Sequence, residues 1–141
     1  MPITKGFRVL VDEAMAQVTT YTVEQVLQRL DSDKTLQIVD IRDVRELKAG
    51  GTVPGCIHAP RGMLEFWVDP ESPYHKSIFA DESKEFVLFC GAGWRSALAT
   101  KTLQDMGMTN VAHIDGGWAA WSKSGAPTET LDEHLAHRKA H

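Results

Sequence analysis

A chain of 141 residues with a hydrophobic fraction of 43% and a charged fraction of 24% has the size and composition of one globular domain with a single core. Its net charge of −4 disfavours nucleic acid and anionic membranes as partners, so an anionic ligand must be attracted by local groups. The sequence has no apolar run of membrane length and no signal-peptide core, which predicts a cytoplasmic protein whose two cysteines, Cys56 and Cys90, are free thiols.

Short apolar runs alternate with helical patterns from the N-terminus onward. Residues 7–18 place apolar side chains at helical spacing, which predicts a first helix. Thr22 is followed three residues later by Gln25, and this capping box predicts the start of a second helix. Four apolar runs predict buried strands, and these are residues 36–41, 56–59, 85–89 and 110–114.

The remaining segments predict two more helices and one irregular region. A helix is expected from about 95 to 106, with Gly107 as its C-cap, and a short helix follows Gly116-Gly117. Residues 62–82 contain four aromatic residues and two prolines and fit no strand pattern. They predict a short helix followed by an irregular segment that borders the functional site.

The alternation of strands and helices indicates an α/β fold with a mostly parallel central sheet of about five strands flanked by helices. In such folds, ligands bind outside the carboxyl ends of the strands. Asp40, Cys90 and Asp115 each lie near one of these ends. The functional site is therefore predicted at this edge of the sheet.

The segment that begins at Cys90 combines three features that stabilise an anion. Cys90 stands between a predicted strand and a predicted helix, and the free N–H groups and dipole of a helix N-terminus favour a thiolate. Gly91 and Gly93 permit backbone conformations that point successive amides inward. Arg95 adds a permanent cation, unless its side chain points into solvent. We therefore predict that Cys90 is a nucleophile and not a structural buried thiol.

Two blocks of motifs resemble the rhodanese-like domain family. The first block consists of Asp40-x-Arg42 with Glu46, and of the segment 51–57. The second block consists of Cys90-x-x-Gly93-x-Arg95-Ser96, Ala99, Leu103, Gly107, Val111, Asp115-Gly116-Gly117 and Trp121. The resemblance implies one rhodanese domain over residues 1–141, with its core at about 18–127, a helical extension at 1–17 and a tail at 128–141.

The resemblance also implies an activity, that of a thiosulfate:cyanide-type sulfurtransferase without a cofactor or a metal. Cys90 takes a sulfane sulfur from thiosulfate or a persulfide donor, holds it as a persulfide, and passes it to cyanide or a thiol. A sulfur-relay protein is a further candidate partner, and a monomer or a homodimer is expected. The residues implied to bind the donor or the persulfide are Gly91, Ala92, Gly93, Trp94, Arg95, Ser96 and Arg61.

The remaining motif residues are implied to support the site. Asp40, Arg42 and Glu46 are expected to fix the loops beneath it through ion pairs and backbone hydrogen bonds, because charges near strand ends need partners. For Arg61 the alternative is an exposed residue at a helix start. Thr52 replaces the family's usual histidine, and this departure is expected to alter packing only.

Two other functional classes remain open. Cysteine phosphatases and arsenate reductases use a Cys-x5-Arg loop, usually preceded by histidine, whose arginine grips a tetrahedral oxyanion. Here only four residues separate Cys90 from Arg95, and Phe89 precedes the cysteine. This shorter loop favours a single sulfur atom over a phosphate. The second alternative is a non-catalytic interaction module on the same fold.

Other polar and aromatic residues have simpler interpretations. His58 and His113 are predicted to be satisfied histidines of strands, and Cys56 a small buried residue rather than a resolving thiol. Trp94 predicts an apolar rim at the site, together with Phe66, Trp67 and Tyr74, and the alternative for Phe66 and Trp67 is that they cap the core. In the tail, a solvated helix is expected in preference to a metal site built from His134, His137 and His141.

Overall fold

A computed structural model of the protein describes residues 1–139, so His141 of the tail lies outside the described residues. Five parallel strands form one sheet in the order β1-β5-β4-β2-β3. This confirms the predicted α/β fold with a parallel sheet of about five strands. The strands are β1 (Thr20–Tyr21), β2 (Leu36–Asp40), β3 (Ile57–His58), β4 (Glu85–Phe89) and β5 (Val111–Ile114).

Seven α-helices and two 3₁₀ helices connect and cover the strands in the described part of the chain. The Thr22–Gln25 capping box is formed as predicted, with Thr22 Oγ1 accepting from the Gln25 N–H at 3.1 Å. The helices are α1 (Phe7–Gln17), α2 (Val23–Ser32), α3 (Val44–Gly50), α4 (Leu64–Val68), α5 (Trp94–Asp105), α6 (Gly117–Lys123) and α7 (Leu131–Lys139), and the 3₁₀ helices are Arg61–Met63 and Ser77–Ala80.

Two elements differ from the sequence-based expectation. The strand expected over 56–59 is reduced to Ile57–His58, and Pro60, which has no N–H to donate, prevents its extension at the carboxyl end. β1 was not predicted, since two residues are too few to show a period-2 pattern. Residues 62–82 do form a short helix followed by a mostly irregular segment.

The hydrophobic core lies on both faces of the sheet. Along β4, Phe86 and Leu88 belong to one cluster together with Cys90, whereas Val87 and Phe89 belong to the other. This alternation follows from the period-2 geometry of a strand. Cys90 therefore lies on the same face of the sheet as Phe86 and Leu88, in the loop that follows β4. Within residues 1–139, no helix is both long and apolar enough to cross a bilayer.

Candidate active site

The side chain of Cys90 is enclosed by the backbone of the loop that joins β4 to α5. Its Sγ lies 3.2 Å from the backbone nitrogen of Gly93 and 3.3 Å from that of Ser96. The Ser96 hydroxyl is 3.5 Å from the same sulfur. Cys90 is only 1% exposed. Two amide donors thus converge on one buried sulfur at the start of a 12-residue helix, which is a cradle for an anion.

Glycines make this loop geometry available. Gly93 has φ 104°, in the left-handed region that disfavours other residues, and it is the N-cap of α5. Gly117 comes so close to the loop that a Cβ on it would lie 2.3 Å from the Cys90 carbonyl oxygen. This approach lets the N–H of Trp118 donate to the Cys90 carbonyl at 2.7 Å. The N-terminus of α6 therefore packs against the backbone of the cysteine loop and is hydrogen-bonded to it.

Arg95 does not stand as an isolated cation beside Cys90. Its Nη1 and Nη2 each lie 2.9 Å from a carboxylate oxygen of Glu46. These hydrogen bonds raise the pKa of Arg95, with a smaller contribution from the nearby Cys90, and hydrogen bonding from Arg95 lowers the pKa of Glu46. Glu46 was expected to support the loops, and the structure places it against the charged residue of the loop itself.

We predict that Glu46→Gln strengthens the attraction of the site for anions. The Arg95 and Glu46 side chains are 40% and 37% exposed, so the ion pair contributes less than about 1 kcal/mol to the free energy of unfolding. Removing the Glu46 charge leaves the Arg95 charge uncompensated. We expect the Kd of a probe anion such as thiosulfate to fall about 2- to 5-fold at low ionic strength, with the difference fading in high salt. An unchanged Kd would mean that Arg95 does not attract anions to the site.

Asp40 and Arg42 form a buried ion pair beneath the site. Arg42 Nη2 donates to Asp40 Oδ2 at 2.8 Å, and Arg42 Nε donates to Asp40 Oδ1 at 3.0 Å. The Thr52 hydroxyl donates to the same carboxylate at 2.7 Å. The Arg42 guanidinium also donates to the Gly51 carbonyl at 2.8 Å and lies 4.7 Å from the Trp118 ring centroid. This pair ties α3 and α6 to the end of β2.

A second polar chain runs from the cysteine loop into the sheet. The Ser96 hydroxyl lies 2.9 Å from His113 Nδ1, and His113 Nε2 lies 3.0 Å from the Thr20 hydroxyl. His113 is fully buried, and burial lowers its pKa to about 4, so the imidazole is neutral at neutral pH. Sequence reasoning did not connect His113 with Ser96, because the two residues belong to different elements.

Cys56 is separated from Cys90 by the sheet. It belongs to the hydrophobic cluster on the opposite face, and its Sγ lies 3.2 Å from the Thr52 hydroxyl. Burial raises the pKa of the Cys56 thiol to about 12, so this thiol stays protonated at neutral pH. Both properties favour a packing role over that of a resolving thiol.

Among residues 1–139, Trp94 is the one residue of the expected aromatic rim whose ring packs against another aromatic ring. Trp94 is 48% exposed, and its ring packs against Phe7 of α1 at a centroid distance of 5.0 Å. Phe66 and Tyr74 are also exposed, whereas Trp67 packs against the core and carries the Lys76 ammonium over its ring. The aromatic neighbour of Trp94 among the described residues thus comes from the N-terminal helix.

Arg61 and two of the tail histidines lie outside the loop that encloses Cys90. Arg61 is exposed at the start of a 3₁₀ helix, and its N–H donates to the Ile41 carbonyl at 3.0 Å. In α7, His134 is buried and lies 3.1 Å from the Glu129 carboxylate, which His137 also contacts at 2.7 Å. The tail is therefore a docked helix rather than a fully solvated one.

Comparisons with known proteins relate the chain to one family of domains. The family model of the rhodanese-like domain matches residues 22–124. Rhodanese-like domain-containing protein 17 of Arabidopsis thaliana is 30% identical over 128 residues, covering 86% of this chain and 79% of the relative.

Two solved structures are similar over almost the whole chain. One is a protein of unknown function from Rhodopseudomonas palustris, described as a possible tyrosine phosphatase. It has 48% identity, a TM-score of 0.87, and coverage of 92% of this chain and 98% of that chain. The other is the polysulfide-sulfur transferase homodimer of Wolinella succinogenes, with 29% identity and a TM-score of 0.67. That match covers 91% of this chain and 90% of the Wolinella chain.

Proposed function

The chain belongs to the rhodanese-like domain family, and on that basis we propose that it is a sulfurtransferase that carries a sulfane sulfur as a persulfide on Cys90. The observation that carries this proposal is the convergence of two backbone N–H groups, from Gly93 and Ser96, on the buried Cys90 sulfur. Such a cradle stabilises a thiolate and, after transfer, the charge on a persulfide.

The proposed reaction has two steps. The Cys90 thiolate attacks the outer sulfur of thiosulfate, a sulfur–sulfur bond forms, and sulfite leaves with the electron pair of the broken bond. The cysteine then carries one additional sulfur and one negative charge. In the second step, cyanide or a thiolate attacks this outer sulfur, and the Cys90 thiolate is regenerated. Polysulfide is the donor class suggested by the Wolinella relative.

Phosphatase activity is the second candidate, because the Rhodopseudomonas structure is described as a possible tyrosine phosphatase. A phosphatase arginine grips its phosphate with two parallel hydrogen bonds. In this chain, both Nη atoms of Arg95 bind Glu46, and the cysteine-to-arginine gap is one residue shorter than in the phosphatase loop. Both observations favour sulfur as the ligand of the cradle.

The proposed setting is the cytoplasm, where both free thiols would stay reduced. The proposed acceptors are small thiols, cyanide or a sulfur-relay protein. A homodimer is a proposal that rests on the assembly of the Wolinella relative. Arg61 is proposed as an additional charge for the donor because its loop is hydrogen-bonded to the residue that follows β2.

The test is a parallel assay of sulfur transfer and phosphate release. The purified protein is supplied with thiosulfate or polysulfide plus cyanide, and separately with p-nitrophenyl phosphate. We expect thiocyanate formation above the rate of a protein-free control, an excess that iodoacetamide abolishes, and no phosphate release. Phosphate release without thiocyanate would support the phosphatase, and neither product would support the non-catalytic module.

We also predict that Trp94 shapes donor preference. The exposed Trp94–Phe7 pair places apolar surface at the mouth of the cysteine loop, which favours less hydrated sulfane donors over thiosulfate. Trp94→Ala is expected to shift the ratio of kcat/KM values, polysulfide over thiosulfate, by about 3- to 10-fold toward thiosulfate. Phe66→Ala, which removes an exposed aromatic ring of α4, is the matched control and should leave the ratio unchanged. An unaltered ratio in Trp94→Ala would show that Trp94 does not affect donor preference.

A further inference from the structure

The Ser96 hydroxyl has a single proton and more than one possible acceptor for it. It lies 3.3 Å from the Gly93 carbonyl oxygen and 3.5 Å from the Cys90 sulfur. When Cys90 is a thiol, the S–H group donates to the hydroxyl oxygen. When the sulfur is a thiolate, the hydroxyl must turn and donate to it. The strength of the cradle therefore depends on what holds the orientation of Ser96.

His113 is the group that can set this orientation. Its Nδ1 lies 2.9 Å from the Ser96 oxygen. If Nδ1 carries the proton, it occupies a lone pair of the hydroxyl oxygen and leaves the hydroxyl proton free for the sulfur. If Nε2 carries the proton, Nδ1 becomes an acceptor and draws the hydroxyl proton away from the sulfur. The two neutral tautomers thus have opposite effects on Cys90.

Thr20 selects between these tautomers from the far side of the ring. Its hydroxyl lies 3.0 Å from His113 Nε2 and 3.9 Å from the Met15 sulfur, which is a weak acceptor. The Thr20 hydroxyl is therefore better placed to donate its proton to His113 Nε2 than to the Met15 sulfur. An Nε2 atom that accepts from Thr20 requires the proton of the ring to be on Nδ1. All donors of the chain then point toward the Cys90 sulfur.

We infer that His113 is a positioning residue for sulfur transfer, which fixes the Ser96 hydroxyl as a third hydrogen-bond donor to the Cys90 sulfur. The inference rests on the proposed function for its role in turnover. The charged and titratable groups around the network are Arg95 and Glu46 next to the loop, and Asp115 at the end of β5, which acts weakly on His113. His113 is uncharged near neutral pH, so its own titration does not contribute to a pH profile in that range.

The test compares His113→Leu with His113→Asn. Asparagine keeps an N–H donor close to the place of Nδ1, and leucine removes it at similar volume. The first readout is the rate of Cys90 alkylation by iodoacetamide between pH 5 and 10, which requires no sulfur transfer. For His113→Leu we expect a rate about 5- to 10-fold lower at pH 7, an acid limb displaced to higher pH, and wild-type rates at the alkaline end. His113→Asn should remain within about 2-fold of wild type.

Thr20→Val is an independent variant at a partly exposed residue, where the substitution does not disturb the core as His113→Leu does. It should displace the acid limb in the same direction, by about 2- to 3-fold at pH 7. Adding His113→Leu to Ser96→Ala should cause no further loss, because both changes remove the same donor. Wild-type pH profiles in Thr20→Val and His113→Leu, or additive losses in the double variant, would overturn the inference.

The second readout is the single-turnover rate of persulfide formation with thiosulfate, measured on the same variants. It should follow the alkylation rates. If the variants show the alkylation effect but the wild-type protein forms no persulfide with any donor, the proposed function is contradicted and the positioning role of His113 stands. A protein that forms the persulfide at rates indifferent to His113 would contradict the inference alone.

Discussion

Cys90→Ser is expected to lower sulfur-transfer activity by about 10³-fold or more. The reason is chemical, because a serine hydroxyl is not ionised at neutral pH and cannot form a persulfide. The fold should persist, since a serine oxygen accepts hydrogen bonds from the same Gly93 and Ser96 amides that contact the sulfur. The measurement is thiocyanate production from thiosulfate and cyanide, alongside thermal unfolding.

Cys56→Ala is the matched control for this substitution. Cys56 is the other free cysteine and is also buried, but it lies on the opposite face of the sheet. We expect wild-type transfer activity, with a loss of stability of about 1 kcal/mol from the smaller side chain. Comparable loss of transfer in both variants would show that sulfur transfer needs both thiols, which would contradict a mechanism with Cys90 as the sole sulfur carrier.

Arg42→Met is expected to lower the free energy of unfolding by about 3–5 kcal/mol. Asp40 is fully buried, and removal of Arg42 leaves its carboxylate with the Thr52 hydroxyl and one backbone N–H as donors. Methionine retains most of the side-chain length but cannot donate to Asp40 or to the Gly51 carbonyl. The loss can be measured by urea unfolding, analysed with a common slope for both proteins.

Arg45→Met provides the comparison within the same segment. Arg45 also pairs with an aspartate two residues earlier, Asp43, but its side chain is 86% exposed. A surface pair of this kind is screened by solvent and contributes little to the free energy of unfolding. Equal destabilisation by the two substitutions would contradict the view that burial makes the Asp40–Arg42 pair important for stability.

The elements that could be predicted from the sequence are those with local signals. The Thr22–Gln25 capping box and the apolar run that ends at Asp40 carry their own evidence, and the structure has both. β1 could not be found from the sequence, because its two residues form a strand only by pairing with β5, Thr20 with His113 and Tyr21 with Ile114. Its stability comes from tertiary contacts that no short window contains.

The same distinction applies to the candidate site. The loop from Cys90 to Ser96 was predictable, because a cysteine, a glycine-rich turn and a helix start follow one another directly. The partner of Arg95 was not, since Glu46 is 49 positions away in the chain and was assigned to the supporting loops. Ser96 and His113 are likewise brought together by the packing of α5 against β5.

Intact-mass spectrometry of the protein after exposure to thiosulfate or polysulfide tests the central claim most directly. We predict a mass gain of one sulfur atom, located on Cys90 by peptide mapping, removed by cyanide, and missing in Cys90→Ser. A protein that gains no sulfur from either donor, or that gains it on Cys56 instead, would contradict the claim that the cradle at Cys90 holds a persulfide.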